Sequence, residues 1–172
     1  MKRLWSPWRS QYIESFIRKK NNNECIFCNA VNENINDDNC LKVFEGKLCY
    51  VMLNLYPYNS GHVMVIPHRH ISSFSQLTSE EMIEIMETVK LTLEALDITM
   101  KPHGYNYGAN LGKAAGAGID DHIHFHVVPR WDGDTNFIPV LGEVKVISQD
   151  LLQTKKNLIN AFEKIINKKN EK

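Results

Sequence analysis

The chain has 172 residues, 43% of them hydrophobic and 23% charged, which is typical of one soluble domain with its own core. Its 20 basic and 20 acidic residues give a formal net charge of zero, which argues against nucleic acid or an anionic membrane surface as a partner. No apolar run approaches the length of a transmembrane helix, and the first residues lack a secretory apolar core, so we expect a cytoplasmic protein with no membrane segment.

The N-terminal segment carries two tryptophans, Trp5 and Trp8, before a predicted short helix over residues 10–20. Apolar side chains recur on one side of that helix. We interpret the tryptophans as covering the core or a subunit contact. The alternative is a contact with a substrate base.

Four cysteines follow, and the first two, Cys25 and Cys28, form a Cys-x-x-Cys unit. In a cytosolic protein this unit favours a metal over a disulfide, and its spacing suits tetrahedral zinc. Two further ligands must come from elsewhere, and the candidates are Cys40, Cys49, His68, His70 and His122. The alternative is two buried reduced thiols beside unrelated histidines.

Five strands and a long central helix are predicted for the middle of the chain. The strands cover residues 41–45, 48–53, 62–67, 105–111 and 122–130. Thr78 and Glu81 resemble a capping box, and apolar residues then recur at helical spacing to about Met100. A final amphipathic helix begins near Leu151. This order of elements predicts an α+β domain with an antiparallel sheet.

The fifth strand carries three alternating histidines, His122, His124 and His126, with apolar residues between them. Successive strand side chains point to opposite faces, so the imidazoles line one face, whereas a helix would spread them over a wide arc. Histidine is a nucleophile, a proton carrier and a metal ligand, so the three can divide these roles. The alternatives are a pure metal site, or three unrelated histidines on a wet face.

This His-x-His-x-His pattern resembles the signature of the histidine-triad (HIT) family of nucleotide-binding hydrolases and transferases. The resemblance covers about residues 25–137 and includes the loop that carries Asn54 eight residues before His62. It implies a HIT-like fold, with a five-stranded antiparallel sheet, a central amphipathic helix and N- and C-terminal helices. The chain is then a single HIT domain over residues 1–172, with extensions at both ends of the core.

The flanking segments resemble a bacterial branch of the family whose members act as diadenosine tetraphosphate phosphorylases. These segments cover residues 4–9, 53–62 and 129–137. Family members are usually homodimers, so the resemblance implies a homodimer or a higher homo-oligomer. The two tryptophans and residues 138–147 are the candidate subunit contacts.

The resemblance also implies roles for the histidines. His124 would attack the α-phosphorus and form a nucleotidyl-imidazole intermediate, and His126 would hold the phosphate or the leaving oxygen. His122 would orient its neighbours or bind metal. His62 would support the site, and the alternative is that it takes part in catalysis.

Further substrate contacts are implied on two loops. Asn54 corresponds to the residue that holds the ribose hydroxyls, and Asn110 to a polar side chain on the phosphate or leaving group. The backbone N–H groups of Gly116 and Gly118 would approach the phosphate, because glycine removes the steric obstruction. This loop is one residue longer than in the common hydrolase branch, and Gly118 stands near a position where relatives often have Ser or Thr.

Relatives that hold structural zinc use a Cys-x-x-Cys unit, a histidine just after the third strand and the first triad histidine. That pattern implies Cys25, Cys28, His70 and His122 as the ligands. The zinc would fix the segment that carries the histidines without performing chemistry.

Three functions follow from these features. The leading hypothesis is an enzyme that cleaves dinucleoside polyphosphates, with phosphate or water as the final acceptor. The second is a purine nucleoside phosphoramidase or general nucleotidyl hydrolase. The third, from a different class, is a zinc-stabilised nucleotide-binding protein with little turnover.

Overall fold

The computed structural model describes residues 25–134 and 150–171 of the chain. Its helices are α1 (Ile26–Val31), α2 (Ser79–Met100) and α3 (Leu151–Asn170). Its strands are β1 (Lys42–Glu45), β2 (Cys49–Leu53), β3 (Val63–Pro67), β4 (Gly104–Gly108) and β5 (Phe125–Arg130). Single 3-10 turns lie at Phe74–Gln76 and Lys113–Ala115. The two tryptophans, the helix predicted over residues 10–20 and the stretch 138–147 lie outside the described residues.

The five strands form one antiparallel sheet in the order β1-β2-β3-β5-β4, which confirms the predicted fold class. β5 lies between β3 and β4, and His126 pairs with Met64 on one side and with Gly108 on the other. β5, which carries His126, is therefore hydrogen-bonded to a neighbouring strand on both sides.

Two strand bounds differ from the prediction by three residues, and the others by at most one. β5 begins at Phe125, so His122 and His124 lie just before it, where the Ile123 N–H donates to the carbonyl of Ile71 at 2.7 Å. β4 ends at Gly108, because its partner is His126 and the chain before Phe125 has left the ladder.

Helices α2 and α3 cover one face of the sheet, and their apolar stripes share a core with the inward residues of the strands. The capping box that begins α2 is as predicted: the Thr78 hydroxyl accepts from the Glu81 N–H at 3.2 Å, and the Glu81 carboxylate accepts from the Thr78 N–H at 2.8 Å. The opposite face carries a smaller cluster that includes Phe27 of α1 and Tyr50 of β2. None of the helices in the described ranges is long and apolar enough to cross a membrane.

Candidate active site

The three histidines lie on the face of the sheet away from α2 and α3. The residues that alternate with them, Ile123 and Phe125, belong to the core beneath those helices. The histidine face is covered: His122, His124 and His126 are 0%, 6% and 8% exposed. The ring of Phe27 packs against His124, with ring centroids 4.9 Å apart. The alternative of a wet histidine face is therefore wrong.

His124 is held in one tautomer by the backbone. Its Nδ1 lies 2.9 Å from the carbonyl oxygen of His122. A carbonyl oxygen only accepts, so Nδ1 carries the proton and Nε2 of the neutral ring carries the lone pair. Nε2 has no hydrogen-bond partner among the described residues. The ring thus presents an unprotonated nitrogen with an unused lone pair.

His126 is held in the opposite tautomer through His62. The backbone N–H of Tyr58 donates to Nδ1 of His62 at 3.0 Å, so neutral His62 carries its proton on Nε2. That Nε2 lies 2.9 Å from Nδ1 of His126 and donates to it. Neutral His126 therefore carries its own proton on Nε2. This buried N–H has no partner among the described residues.

Burial keeps the imidazoles of His124 and His126 neutral. It lowers the pKa of His124, and the hydrogen bond to the His122 carbonyl opposes this shift in part. Burial, and then the neighbouring His124, lower the pKa of His126 to about 4. A neutral His126 at neutral pH is a hydrogen-bond donor of fixed direction and carries no charge.

Four predicted metal ligands lie together at the start of α1. One ligand atom from each of Cys25, Cys28, His70 and His122 falls within 4.8 Å of the others. Nδ1 of His122 is 3.3 Å from Sγ of Cys25 and 3.6 Å from Sγ of Cys28, and Nδ1 of His70 is 3.2 Å from Sγ of Cys28. Ligands around tetrahedral zinc stand about 3.3–3.8 Å apart, so this group could hold a metal ion.

The backbone also orients His122 towards the thiols. Its Nε2 lies 3.0 Å from the carbonyl of Pro67 and donates to it, which leaves the Nδ1 lone pair facing the two sulfur atoms. Such a hydrogen bond on the distal nitrogen is the usual support for a metal-ligating histidine. Burial and the adjacent Cys25 raise the pKa of Cys28 to about 11.

The predicted substrate-binding residues lie on the two loops beside the histidines. Asn54 follows β2, and its Nδ2 is 3.5 Å from Nε2 of His62. Asn110, Gly116 and Gly118 lie on the connection between β4 and β5, which starts next to His126. Gly116 has a φ of +89°, a conformation that favours glycine.

The groups that fix the tautomers were not identified from the sequence. They are the Tyr58 N–H and the carbonyls of Pro67 and His122, all of them backbone groups. No residue type signals such a group. His62 was expected to support the site, and the structure places it against His126.

Comparisons with known proteins agree with this geometry. The family described as HIT domain matches residues 36–133. A protein of Mycobacterium tuberculosis named AP-4-A phosphorylase is 41% identical over 161 residues, which cover 92% of this chain and 83% of that protein. An adenosine 5'-monophosphoramidase of Schizosaccharomyces pombe is 34% identical over 62% of this chain and 74% of its own length. A zinc-bound histidine triad family protein from Mycobacterium smegmatis is 25% identical, with a TM-score of 0.66 over 84% of this chain and 96% of that one.

Proposed function

Because this chain belongs to the HIT domain family, we propose that it is an enzyme that cleaves dinucleoside polyphosphates through a nucleotidyl intermediate on His124. The observation that carries the proposal is the tautomer of His124. Its Nδ1 proton is bound to the His122 carbonyl, so the lone pair of Nε2 is free to attack. The similarity to an AP-4-A phosphorylase supports diadenosine tetraphosphate as the substrate.

In the first step, Nε2 of His124 forms a bond to the α-phosphorus, and the bond from that phosphorus to the bridging oxygen breaks. With diadenosine tetraphosphate, the leaving group is ATP and the enzyme keeps an adenylyl group. The imidazole becomes positively charged, and its Nδ1–H remains on the His122 carbonyl, which stabilises the charge. The buried Nε2–H of His126 would donate to a phosphate oxygen, which supplies its missing partner.

Neighbouring loops would hold the rest of the nucleotide. Asn54 would bind the ribose hydroxyls, and Asn110 would contact the phosphate or leaving group. The backbone N–H groups at Gly116 and Gly118 would approach the phosphate oxygens, since no side chain obstructs them.

In the second step, an acceptor oxygen attacks the adenylyl group, loses its proton and releases neutral His124. Phosphate as the acceptor gives ADP, and water gives AMP. The test is to incubate the purified protein with diadenosine tetraphosphate, with and without inorganic phosphate. ADP and ATP that form only with phosphate would establish a phosphorylase, AMP and ATP a hydrolase, and nucleotide binding without products would contradict both.

A second candidate function uses the same nucleophile. The similarity to an adenosine 5'-monophosphoramidase favours it. Attack by Nε2 of His124 on an adenylate linked to an amine would break a phosphorus–nitrogen bond and leave the same adenylyl group on the histidine. An amine-linked adenylate assayed in parallel with the dinucleotide separates the two, since the preferred substrate is the one with the higher kcat/KM.

We infer that the metal held by Cys25, Cys28, His70 and His122 is zinc with a structural role. Two thiols and two imidazole nitrogens are a donor set that zinc prefers, and a zinc-bound relative shares the fold. With all four positions taken by protein atoms, no position remains for a substrate. Zinc would supply a fixed link between α1 and the segment before β5.

We propose that the chain forms a homodimer or a higher homo-oligomer through β4, which lies at one edge of the sheet formed by the described residues. Tyr107 on that strand is 44% exposed, and its hydroxyl lies 3.5 Å from Sδ of Met86, which is 54% exposed. An edge strand beside exposed apolar side chains favours pairing with a second copy. Light scattering on the wild type and on Tyr107→Lys tests this, and equal masses would contradict it.

We also infer that residues 1–172 form one domain in the cytoplasm. Helix α3 shares the core of the sheet, where Phe162 stacks on Phe44 with centroids 4.9 Å apart. The four cysteines are unpaired, which suits a reducing compartment.

A further inference from the structure

We propose that Asn59 and Asp134 are positioning residues for the reaction. Their side chains join the loop between β2 and β3 to the turn that follows β5, and we call this contact the Asn59–Asp134 clamp. By holding the loop, the clamp keeps the Tyr58 N–H on His62 and so keeps the proton of His126 on Nε2. This inference rests on the proposed role of His126 as a donor to the substrate.

The clamp is a short, part-buried contact between distant parts of the chain. Nδ2 of Asn59 donates to Oδ2 of Asp134 at 2.7 Å and to the carbonyl of Pro129 at 3.0 Å. Both N–H groups of the amide are thus used, and Asn59 is only 8% exposed. A buried amide with every donor satisfied fixes its own backbone firmly.

Asp134 is itself fixed from the β5 side. Arg130 donates to both carboxylate oxygens, from Nε at 2.7 Å and from Nη2 at 2.8 Å, and the Trp131 N–H donates at 3.1 Å. Nη1 of the same arginine donates to Oδ1 of Asn106 on β4 at 2.7 Å. A forked arginine–carboxylate pair has defined geometry. The Asp134 carboxylate, which accepts from Asn59, is therefore anchored through Arg130 to β5 and β4.

The clamp holds the residue next to Tyr58, whose backbone N–H sets the tautomer of His62. Tyr58 directly precedes Asn59, and the carbonyl of Asn59 accepts from the His62 N–H at 3.2 Å. The Tyr58 N–H and Nδ1 of His62 are therefore placed by a turn whose middle is held by the clamp. Hydrogen bonds weaken steeply with misalignment, so a small displacement of Asn59 would free His62 to carry its proton on either nitrogen. His126 would then lose its preference for the Nε2–H form.

The test compares Asp134→Asn with Asp132→Asn in the full-length, zinc-loaded protein. Asp132 lies in the same turn, but its side chain is 95% exposed and faces His103, so it is the matched control. Long-range proton–nitrogen NMR reports which ring nitrogen of His62 and His126 carries the proton. Steady-state kinetics with diadenosine tetraphosphate give kcat and KM.

For Asp134→Asn we expect a mixture of His126 tautomers, a kcat about 10- to 100-fold lower, and a KM within a few-fold of the wild type. Asp132→Asn should match the wild type in the His126 tautomer, in kcat and in KM. Asn59→Ala removes both amide donors and leaves Arg130 on Asp134, so it should reproduce the effect if Asp134→Asn does not fold.

A wild-type tautomer and kcat in the folded clamp variants would overturn the inference, because a purely stabilising contact changes only the fraction of folded protein. The NMR result also separates this inference from the proposed function. If the wild type shows no turnover, a tautomer shift in Asp134→Asn still supports the clamp, and an unchanged tautomer still refutes it.

Discussion

Nδ1 of His124 lies 2.9 Å from the backbone carbonyl oxygen of His122, the residue whose side chain faces the two cysteines. His122 therefore presents its imidazole to Cys25 and Cys28 and its carbonyl to the proposed nucleophile. The tautomer of His124 follows from that carbonyl. A metal held by Cys25, Cys28, His70 and His122 would fix His122 and its carbonyl, and would thus support catalysis without contact with the substrate.

His126 should contribute to the rate through its Nε2–H. We expect His126→Asn to lower kcat with diadenosine tetraphosphate by about 100-fold or more, because a donor to the developing phosphate charge is lost. KM should change less than kcat. The control is His103→Asn, at an exposed position. A kcat within twofold of the wild type in both variants would show that His126 does not contribute to the rate.

The low pKa of His126 also predicts a pH dependence of stability. The folded value is about 4 and the ordinary value is 6.5, so between these values the unfolded chain binds more protons than the folded chain. The stabilisation is complete above pH 6.5 and is lost as the pH falls towards 4. The titratable groups that face this ring are His62, His124 and Tyr58.

Urea unfolding of the wild type and His126→Gln at pH 7.5 and pH 5.0 measures this contribution. The free energy of unfolding should fall more in the wild type than in the variant, by up to about 2 kcal/mol. An equal fall in both would show that His126 does not titrate in this window.

Removal of a cluster ligand should release the metal. We expect Cys25→Ser to lose bound zinc and to lower the free energy of unfolding by about 3–5 kcal/mol, because the ion links α1 to the segment before β5. Cys40→Ser is the matched control, since Cys40 is buried but lies outside the cluster. Metal analysis that finds the same zinc content in the two variants would refute the ligand set.

Gly61 should not tolerate a side chain. Its φ of +72° favours glycine, and an added Cβ would overlap Sδ of Met100. We expect Gly61→Ala to cost about 1–3 kcal/mol of stability. Gly104→Ala meets no heavy atom within 4 Å and should cost less than about 0.5 kcal/mol. Equal midpoints of thermal unfolding for Gly61→Ala and Gly104→Ala would contradict this expectation.

The fold was largely predictable because its signals are local. The capping box at Thr78 and Glu81 and the alternation around His124 each depend on residues close in sequence. The start of β5 was placed three residues early, because the pattern of side chains does not show that the Ile123 N–H bonds to Ile71 outside the sheet.

Which side chains lie together was predictable from the sequence, but their protonation was not. The four cluster residues and the three histidines are chemical types that the sequence displays. What fixes each tautomer is a backbone group or a contact across the chain, such as Asn59 with Asp134, 75 residues apart. Such contacts exist only once the sheet has formed.

The most direct test of this account is to look for an adenylyl group on His124. Wild-type protein mixed with diadenosine tetraphosphate and quenched with denaturant should carry one adenylyl group, located by mass spectrometry on the peptide with His124. His124→Ala should show neither the adduct nor turnover, while His103→Ala should show both. Full turnover by His124→Ala would contradict the account.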